Sequence, residues 1–300
     1  MATSWGERFS ARLLLALMWL LHLLPLPLLA AVGNGAGRLL YLLAASRRKV
    51  ALRNLELCFP DWPEDQRRRL ASEHFKWLGR SILERSLLWF ASAERLKKII
   101  HVEGDVKLAE HSDRAVMWLV PHFMGLDVAG VAVLLYQSQY ACSMYQQQSN
   151  PVMDDIIRKG RMRFGDKAEI FPRSDKALPL IRAIRKGHAF FNLPDMDFGE
   201  RDAAFVPFFG VPAATLLAPS RMARALDMVV QPVVAEILPG GQGYRVRFGE
   251  PFKTFPSDDA VADTAAMNRW IEDEIRRNPA QYLWVHKRFK TRPPGEAGLY

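Results

Sequence analysis

The stretch LVPHFMGLD, residues 119–127, carries the pattern from which the fold of this chain can be argued. Residues 115–120 lead into it and are almost wholly apolar, which favours a buried strand. Residues 126–136 follow it with the apolar composition of a helix packed on that strand. A strand that passes through a short turn into a helix is the repeating unit of an α/β sheet.

His122 and Asp127 are the two side chains of this stretch that could carry chemistry. On one continuous helix, residues at this spacing would point roughly 140° apart and could not meet. They can meet only if the chain turns between them, and Gly125 permits a turn without a Cβ penalty. We therefore predict that His122 is a general base at a strand end and that Asp127 orients it.

The same alternation of apolar runs and helical patterns continues along the chain and predicts an α/β fold. Its central sheet should be largely parallel and flanked by helices. Residues 228–238 and 244–248 flank PGGQG and predict a hairpin at the sheet edge. The predicted strands are 115–120, 141–145, 168–171 and 188–193, and the predicted helices are 126–136, 151–164, 176–186 and 215–225.

The composition describes a globular protein with an excess of positive charge. Hydrophobic residues make up 49% of the 300 residues and charged residues 24%, with 41 basic against 32 acidic side chains and a net charge of +9. Such a balance implies an acidic partner, which could be a membrane surface, an acidic carrier protein, a phosphorylated substrate or nucleic acid. Cys58 and Cys142 match no metal or redox spacing, and we expect free thiols.

Residues 13–32 form an uncharged run that is long enough to cross a hydrocarbon core of about 30 Å. The run exceeds the usual core of a cleaved signal peptide, so we expect an uncleaved anchor. Basic residues are more numerous on its C-terminal side, which predicts a cytoplasmic location for the rest of the chain. We expect an anchor and interfacial segment over residues 1–45 and a catalytic domain over 46–300. Pro25 and Pro27 leave a kinked, shallow insertion open.

Two further clusters could contribute to a site. Arg158, Arg161 and Arg163 lie in a basic run that could bind phosphate or an oxyanion, although a solvated helix face explains it equally well. PDMDFG, residues 194–199, follows the predicted strand 188–193. Functional loops of open α/β sheets lie at the carboxyl ends of the strands, so this loop and His122 could face one crevice.

Several kinds of chemistry can be weighed against these residues. A metal site needs a third protein ligand beside His122 and Asp127, and we predict none. Ser143 and Ser220 lack the glycines of a G-x-S-x-G nucleophile turn. Acyl or phosphoryl transfer to a hydroxyl needs no protein nucleophile and fits better. A membrane-tethered binding protein without turnover remains open. Residues 282–293 mix aromatic and basic side chains, for which a headgroup or phosphate contact is a better interpretation than nucleic acid.

With these residues identified, the chain resembles the bacterial lipid A late (secondary) acyltransferases, a family of the lysophospholipid acyltransferase superfamily. The superfamily signature is HX4D, which stands here at residues 122–127. HX4D alone is weakly specific, whereas the whole set in this order is strongly specific. The other matching segments are RNLELCFP at 53–60, PDMDFG at 194–199, FVPFFG at 205–210, which we expect to be an apolar loop, and QYLWVHKRFKTRP at 281–293.

The resemblance implies transfer of a fatty acyl group from acyl carrier protein to a hydroxyacyl chain of a lipid A precursor. It implies no cofactor, a single N-terminal anchor in the bacterial inner membrane and a catalytic domain on the cytoplasmic face. Acyl carrier protein, the glycolipid and membrane lipids would be the partners, without nucleic acid. The rival is an acyl-CoA-dependent acyltransferase acting on a glycerophospholipid or glycolipid.

The resemblance also implies roles for individual residues. His122 would be the catalytic base, Asp127 its partner, and Arg161 a source of positive charge for phosphate or catalysis. The remaining expected substrate contacts are Arg158, Arg163, Asp195, Asp197 and Gly199.

Overall fold

Helices and strands alternate along most of the chain in a computed structural model that describes residues 5–173 and 177–300. Side chains are described from Phe9 onward within those ranges. The helices are α1 Trp5–His22, α2 Leu26–Leu43, α3 Ala45–Cys58, α4 Glu64–Phe90, α5 Ala93–Ile99, α6 Leu108–His111, α7 Leu126–Tyr136, α8 Pro151–Arg161, α9 Leu178–Arg185, α10 Ala218–Ala225 and α11 Ala260–Arg277. The strands are β1 Ile100–Glu103, β2 Val116–Leu119, β3 Ala141–Tyr145, β4 Ala168–Pro172, β5 Ala189–Asn192, β6 Ala203–Phe208, β7 Val211–Leu216, β8 Val229–Ile237 and β9 Tyr244–Phe248.

Seven strands form the central sheet in the order β1-β9-β8-β2-β5-β3-β4. All neighbouring pairs are parallel except the hairpin of β8 and β9. The predicted α/β class with a largely parallel sheet is therefore confirmed. The hairpin is present as predicted, but its expected place at the sheet edge is wrong, because β1 pairs with β9 on the outer side.

The central strands are buried on both faces, as parallel strands covered by helices must be. Every residue of β2 is buried, and β2 lies between β8 and β5 in the middle of the sheet. Leu119 at the end of β2 pairs with Asn192 at the end of β5. The chain segments that leave these two strands therefore start side by side at the same edge of the sheet.

Two sequence predictions need correction outside the central sheet. Residues 205–210, expected as an apolar loop, form most of β6 and its tight turn into β7, and Phe208 is fully buried. The helix predicted from residue 215 begins only at Ala218, because β7 continues to Leu216. The helix predicted over 176–186 corresponds to α9, and its first predicted residue lies outside the described residues.

The apolar run near the N-terminus is not one continuous helix. α1 ends at His22 and α2 begins at Leu26 after Pro25, so the predicted single span over residues 13–32 is wrong. Proline at the start of α2 has no N–H to donate and ends the preceding helical pattern. Within the described residues, α2 is the one helix whose length and composition would let it cross a membrane.

α2 packs closely against the charged helix α4 through glycines. A Cβ at Gly37 would lie 2.1 Å from the carbonyl oxygen of Phe75, and one at Gly79 would lie 2.3 Å from that of Gly33. Only glycine permits such an approach of two helix backbones. α2, from the expected anchor segment, thus packs against α4, from the expected catalytic domain. The division of the chain at residue 45 stays a prediction.

Candidate active site

His122 lies in the turn between the buried end of β2 and the start of α7. Gly125 makes this turn possible, since a Cβ at this position would lie 2.6 Å from the carbonyl carbon of Ala235 on β8. The φ of Gly125 is −83°, which any residue can adopt. The close approach of β8, and not an unusual backbone conformation, therefore requires glycine here.

The carboxylate partner of His122 is Asp195. Nδ1 of the imidazole lies 2.6 Å from Oδ1 of Asp195, and the backbone N–H of His122 donates to Oδ2 at 2.9 Å. Asp195 is 1% exposed. Two hydrogen bonds to one carboxylate fix the orientation of the ring, and a carboxylate on Nδ1 favours the tautomer whose Nε2 can accept a proton.

Asp195 reaches His122 because their strands are neighbours. Asn192 ends β5 beside β2, and its carbonyl oxygen accepts a hydrogen bond of 2.9 Å from the N–H of Val120. The loop that starts there brings Asp195 against the turn. Burial alone would raise the pKa of the Asp195 carboxyl, but the charge of His122 and the two hydrogen bonds outweigh it and hold that pKa below the ordinary value.

Asp127 pairs with two arginines instead of with His122, so the predicted contact between His122 and Asp127 is wrong. Its carboxylate lies 2.6 Å from Nε of Arg85 on α4 and 3.3 Å from Nη2 of Arg161 at the end of α8. Burial would raise the pKa of Asp127, but these two guanidinium groups hold it well below its ordinary value. The expectation failed because strand pairing brought another carboxylate to His122, while the first turn of α7 faces α4 and α8.

The other members of the basic cluster lie away from Asp127. Arg158 pairs with Asp155 one turn away on the surface of α8, at 3.4 Å. The guanidinium of Arg163 lies over the ring of Phe164, 4.8 Å from its centre. Neither residue lines the two cavities described below, and their predicted roles as substrate contacts stay predictions.

The loop that carries Asp195 presents alternate residues to opposite sides. Pro194, Met196 and Phe198 line the cleft next to His122. Asp197 points inward, where its carboxylate accepts hydrogen bonds of 2.7 Å from both the N–H and the hydroxyl of Thr291. The N–H of Gly199 donates to the same carboxylate at 3.0 Å. Asp197 and Gly199 were predicted as substrate contacts. In this geometry they fix the shape of the loop on the side away from the cleft.

The cleft in front of His122 has a volume of about 400 Å³ and is lined by both polar and apolar side chains. Asp127, Arg85 and Arg161 lie along it together with His122. Within the described part of the chain, Nε2 of His122 has no hydrogen-bond partner and is free to accept one from a ligand. The side chain of His122 is 14% exposed and lines this cleft.

A second, mostly apolar pocket adjoins the cleft. Asp127 and Arg161 belong to the walls of both, so their ion pair lies where the two cavities meet. Behind the pair, the pocket runs between α7, α8 and the strands β3 and β4. Its apolar lining includes Trp89, Gly130, Val131, Leu134, Met144, Met162, Ile170 and Phe191. The site thus combines a polar cleft at the imidazole with an apolar pocket, and the Asp127–Arg161 ion pair belongs to the wall between them.

Two arginines of this cleft were not predicted from the sequence. Arg85 lies within the apolar stripe of α4, and Arg173 follows β4 directly. The N–H of Arg173 donates to the carbonyl oxygen of Tyr145 at 3.0 Å, which extends the pairing of β4 with β3. Its guanidinium lies 3.3 Å from the ring centre of Phe198 and has no acidic partner among the described residues. Position at the carboxyl end of a predicted strand was the one signal that could have identified Arg173.

The described residues contain no group of three or more His, Cys, Asp or Glu side chains arranged to hold a metal ion. Both cysteines are free and buried. Burial raises the pKa of the Cys142 thiol to about 12, so this thiol on β3 stays protonated although it lines the apolar pocket. What the arrangement offers chemically is an oriented imidazole, several guanidinium groups and an apolar pocket.

Residues 4–291 match the family model described as bacterial lipid A biosynthesis acyltransferase. The chain belongs to this family. It is accordingly an O-acyltransferase of lipid A biosynthesis, and the resemblance drawn from its motifs is confirmed.

Similar proteins in Escherichia coli (strain K12) differ in the acyl group that their names state. The lipid A biosynthesis palmitoleoyltransferase is 35% identical over 95% of this chain and 92% of its own length. The lauroyltransferase is 32% identical over 95% of this chain and 93% of its own. The myristoyltransferase is 31% identical over 91% and 83%. Family membership therefore leaves the acyl chain that this protein transfers open.

Proposed function

We propose that this protein transfers a fatty acyl group from acyl carrier protein to a hydroxyl of a hydroxyacyl chain in a lipid A precursor, with His122 as the general base. The observation that carries the proposal is the 2.6 Å contact between Nδ1 of His122 and the buried Asp195. It leaves Nε2 as the proton acceptor on the side of the open cleft. A positioned imidazole that lacks a protein nucleophile suits direct transfer to an acceptor alcohol.

In the proposed reaction, Nε2 of His122 takes the proton of the acceptor hydroxyl as its oxygen attacks the thioester carbonyl carbon. The tetrahedral intermediate collapses, the C–S bond breaks and an ester forms. The imidazolium then returns the proton to the departing thiolate, which leaves as a thiol. Asp195 stabilises the positive imidazolium between these two proton transfers and prevents rotation of the ring.

Arg161 and Asp127 supply the charge at the junction between cleft and pocket. We assign Arg161 to the developing oxyanion, since its guanidinium lies in the walls of both cavities. Asp127 acts through it, because its carboxylate fixes the guanidinium groups of Arg161 and Arg85. Fixed donors stabilise developing charge better than mobile ones, since they need no reorganisation during the reaction.

The apolar pocket is the proposed site for the donor acyl chain. It is enclosed by apolar side chains of α7, α8, β3 and β4, and it opens toward the cleft at the Asp127–Arg161 pair. A chain seated there would place its thioester carbonyl near Arg161 and His122. Burial of each methylene contributes about 0.8 kcal/mol, which can hold a long chain in place.

The net charge of +9 supports an acidic carrier protein as the donor. The competing donor is acyl-CoA, and one assay that offers both thioesters with the same acyl chain separates them. We expect the kcat/KM for the carrier-bound donor to exceed that for acyl-CoA by at least about tenfold at low salt, with the gap narrowing as salt screens the charges. Equal values would remove the carrier protein from the proposal.

Replacement of His122 tests the base directly. We expect His122→Ala to lower kcat by about 10²–10⁴-fold, the usual contribution of a general base, while the melting temperature changes little. The assay is formation of the acylated lipid A precursor from a purified donor, followed by mass spectrometry. Wild-type turnover by a folded His122→Ala enzyme would refute His122 as the base.

We also propose that the enzyme works on the cytoplasmic face of the bacterial inner membrane, held by α1 and α2. Most of the large apolar side chains that are exposed lie on these two helices. They include Leu13, Leu17, Leu20 and Leu23 in and after α1, and Leu28, Val32, Leu39, Leu42 and Leu43 in α2. The packing of α2 along α4 supports a hairpin embedded in one leaflet over a helix that crosses alone.

Two measurements test this placement. Serine at Leu39, Leu42 and Leu43 should weaken co-sedimentation with vesicles of anionic phospholipid, because three exposed apolar side chains are lost. Undiminished sedimentation would refute α2 as the attachment surface. Cysteine at Leu23, between the helices, should resist labelling by an impermeant maleimide from the periplasmic side. Labelling from that side would establish a crossing helix instead.

A further inference from the structure

The segment of residues 281–291 lies between the two loops that supply His122 and Asp195. The sequence suggested a surface contact for it, yet Tyr282, Trp284 and Phe289 are buried. Its backbone holds the first loop on both sides of Phe123. The N–H of Met124 donates to the carbonyl oxygen of Gln281 at 2.8 Å, and the N–H of Leu283 donates to that of His122 at 3.0 Å.

The same segment holds the second loop through Asp197. The backbone N–H of Asp197 donates to Nε2 of His286 at 3.0 Å. The carboxylate of Asp197 accepts two hydrogen bonds of 2.7 Å from Thr291. Asp195 lies two residues away on this loop, so these contacts determine where its carboxylate stands.

The segment is itself fixed to the core and can therefore transmit a position. The amide of Gln281 exchanges two hydrogen bonds of 2.8 Å with the backbone of Ile237 on β8. From α3, the amide N–H₂ of Asn54 donates to the carbonyl oxygens of Trp284 and His286, both at 2.7 Å. The donors and acceptors of these hydrogen bonds are paired and mostly buried, which makes the segment a rigid part of the structure.

We infer that residues 281–291 form a C-terminal clamp that sets the distance between His122 and Asp195, with His286 as a positioning residue that fixes the Asp195 loop through the N–H of Asp197. The inference rests on the proposed function of His122. A short contact between side chains of two separate loops survives only if both loops are held to within a fraction of an ångström. A misplacement of about 1 Å can lower the rate by about 10²-fold.

His286 suits this role because its Nε2 must remain unprotonated to accept the hydrogen bond. Burial, as the largest influence, lowers the pKa of His286 to about 4. The ring therefore stays neutral throughout the physiological range, and its acceptor is always available. Few other side chains carry a neutral hydrogen-bond acceptor at this distance from the backbone. The amide oxygen of glutamine is the best isosteric substitute for Nε2 of histidine.

The test compares His286→Leu, which removes the acceptor, with His286→Gln, which retains one. We expect His286→Leu to lower kcat by about 10- to 100-fold while the KM for the acyl donor changes by less than about threefold. His286→Gln should recover kcat to within about threefold of wild type. His188→Leu is the matched control and should retain wild-type kcat, because His188 is a buried histidine stacked on Tyr140 just before the start of β5 and lines neither cavity.

Each outcome decides the inference. Wild-type kcat in His286→Leu overturns it, and so does a loss that His286→Gln fails to repair. If His286→Leu does not fold, Thr291→Val takes its place, since it removes one hydrogen bond to Asp197 and keeps the backbone contact. We expect about a 3- to 10-fold loss of kcat from Thr291→Val, and an unchanged kcat would overturn the clamp.

A double variant separates this inference from the proposed function. If His286 acts through the imidazole of His122, adding His286→Leu to His122→Ala should lower kcat by less than about twofold further, because the positioned group is already gone. Losses that multiply would show that His286 acts on something other than His122 and would overturn the inference. Full activity of His122→Ala alone refutes the base, whatever His286→Leu does.

Discussion

Two carboxylates, one buried and one partly buried, lie at the carboxyl edge of the sheet and hold different partners. Asp195, on the loop after β5, binds both the ring and the backbone N–H of His122. Asp127, in the first turn of α7, binds the guanidinium groups of Arg85 and Arg161. Their pKa values are both held below the ordinary value, against the effect of burial. The difference shows that strand adjacency, more than spacing along the chain, decided which carboxylate reached the imidazole.

The largest expected effect is on kcat, and it distinguishes Asp195 from Asp127. Asp195→Asn should lower kcat by about 10²–10⁴-fold, since an amide N–H₂ facing Nδ1 favours the tautomer with the proton on Nε2 and blocks proton uptake there. The enzyme should remain folded, because the amide is nearly isosteric with the carboxylate. Rates within threefold of wild type in the acyl transfer assay would show that Asp195 does not orient His122.

As the pH falls, other groups should become protonated before either carboxylate does. His74 on α4 is fully buried, and burial lowers its pKa to about 4 from an ordinary 6.5. An unfolded chain takes up this proton near pH 6.5 and the folded one only near pH 4. Stability therefore falls as pH drops through that window, by about 3 kcal/mol for His74, and the loss is complete below it.

Urea unfolding of the detergent-solubilised protein at pH 7.0, 5.5 and 4.5 measures this decline. His74→Gln should flatten much of it, and His286, whose pKa is also lowered to about 4, contributes a further part. The contributions of Asp127 and Asp195 are present above their ordinary pKa of 3.8 and are lost only as pH falls below it. An unchanged slope in His74→Gln would contradict this order.

A smaller effect is expected at Asp127. Asp127→Asn should lower kcat by roughly 10- to 100-fold, because Arg161 loses the partner that holds it at the junction of the two cavities. The arginines are partly exposed, so solvent screening limits the loss of stability to about 1–2 kcal/mol. If Asp127→Asn instead matched Asp195→Asn in kcat, the two carboxylates would act as one unit and the comparison would fail.

Much of the fold followed from the sequence, because buried parallel strands and their helices have strong local signatures. The turn at Gly125 and the strand before it were predicted from their own residues. The carboxylate partner of His122 could not be predicted in this way, because the strand order β2-β5-β3 brings Asp195 to it from a distant part of the chain. The break at Pro25 was visible in the sequence, but the glycine packing of α2 on α4 depends on a partner helix that no local pattern identifies.

Arg173 offers a test of the polar cleft, the wall of which it shares with His122. Arg173 is the cleft arginine without an acidic partner among the described residues, and burial lowers its pKa. An unpaired guanidinium favours an anionic substrate group such as a phosphate. Arg173→Ala should raise the KM for the phosphorylated acceptor by about 10- to 100-fold, the range expected for a lost charged hydrogen bond, with kcat little changed.

The control for Arg173 is Arg185→Ala on α9, an exposed arginine outside both cavities, which should leave both kinetic constants unchanged. An acceptor lacking phosphate should bind wild type and Arg173→Ala equally. A loss that persists with that acceptor would show that Arg173 contributes something other than phosphate binding.

The smallest expected effect concerns the apolar side of Asp127. Gly130 on α7 lines the apolar pocket, and a Cβ there would meet no atom within 4 Å. A larger side chain would therefore extend into the pocket without displacing the backbone. Gly130→Leu should lower kcat/KM for the longest accepted acyl chain by about tenfold, since loss of space for a methylene discriminates by about 1–3 kcal/mol. Shorter donors should react at nearly the wild-type rate.

Gly130→Ala provides the graded control, because it adds one methyl group and replaces a helical glycine. It should increase stability by about 0.5–1 kcal/mol and hardly change the chain-length profile. A series of acyl donors of increasing length, analysed by mass spectrometry of the products, gives the profile for all three enzymes. If Gly130→Leu slowed every donor equally, the acyl chain would lie elsewhere, and Asp127 would no longer mark the border between the reacting carbonyl and its hydrocarbon tail.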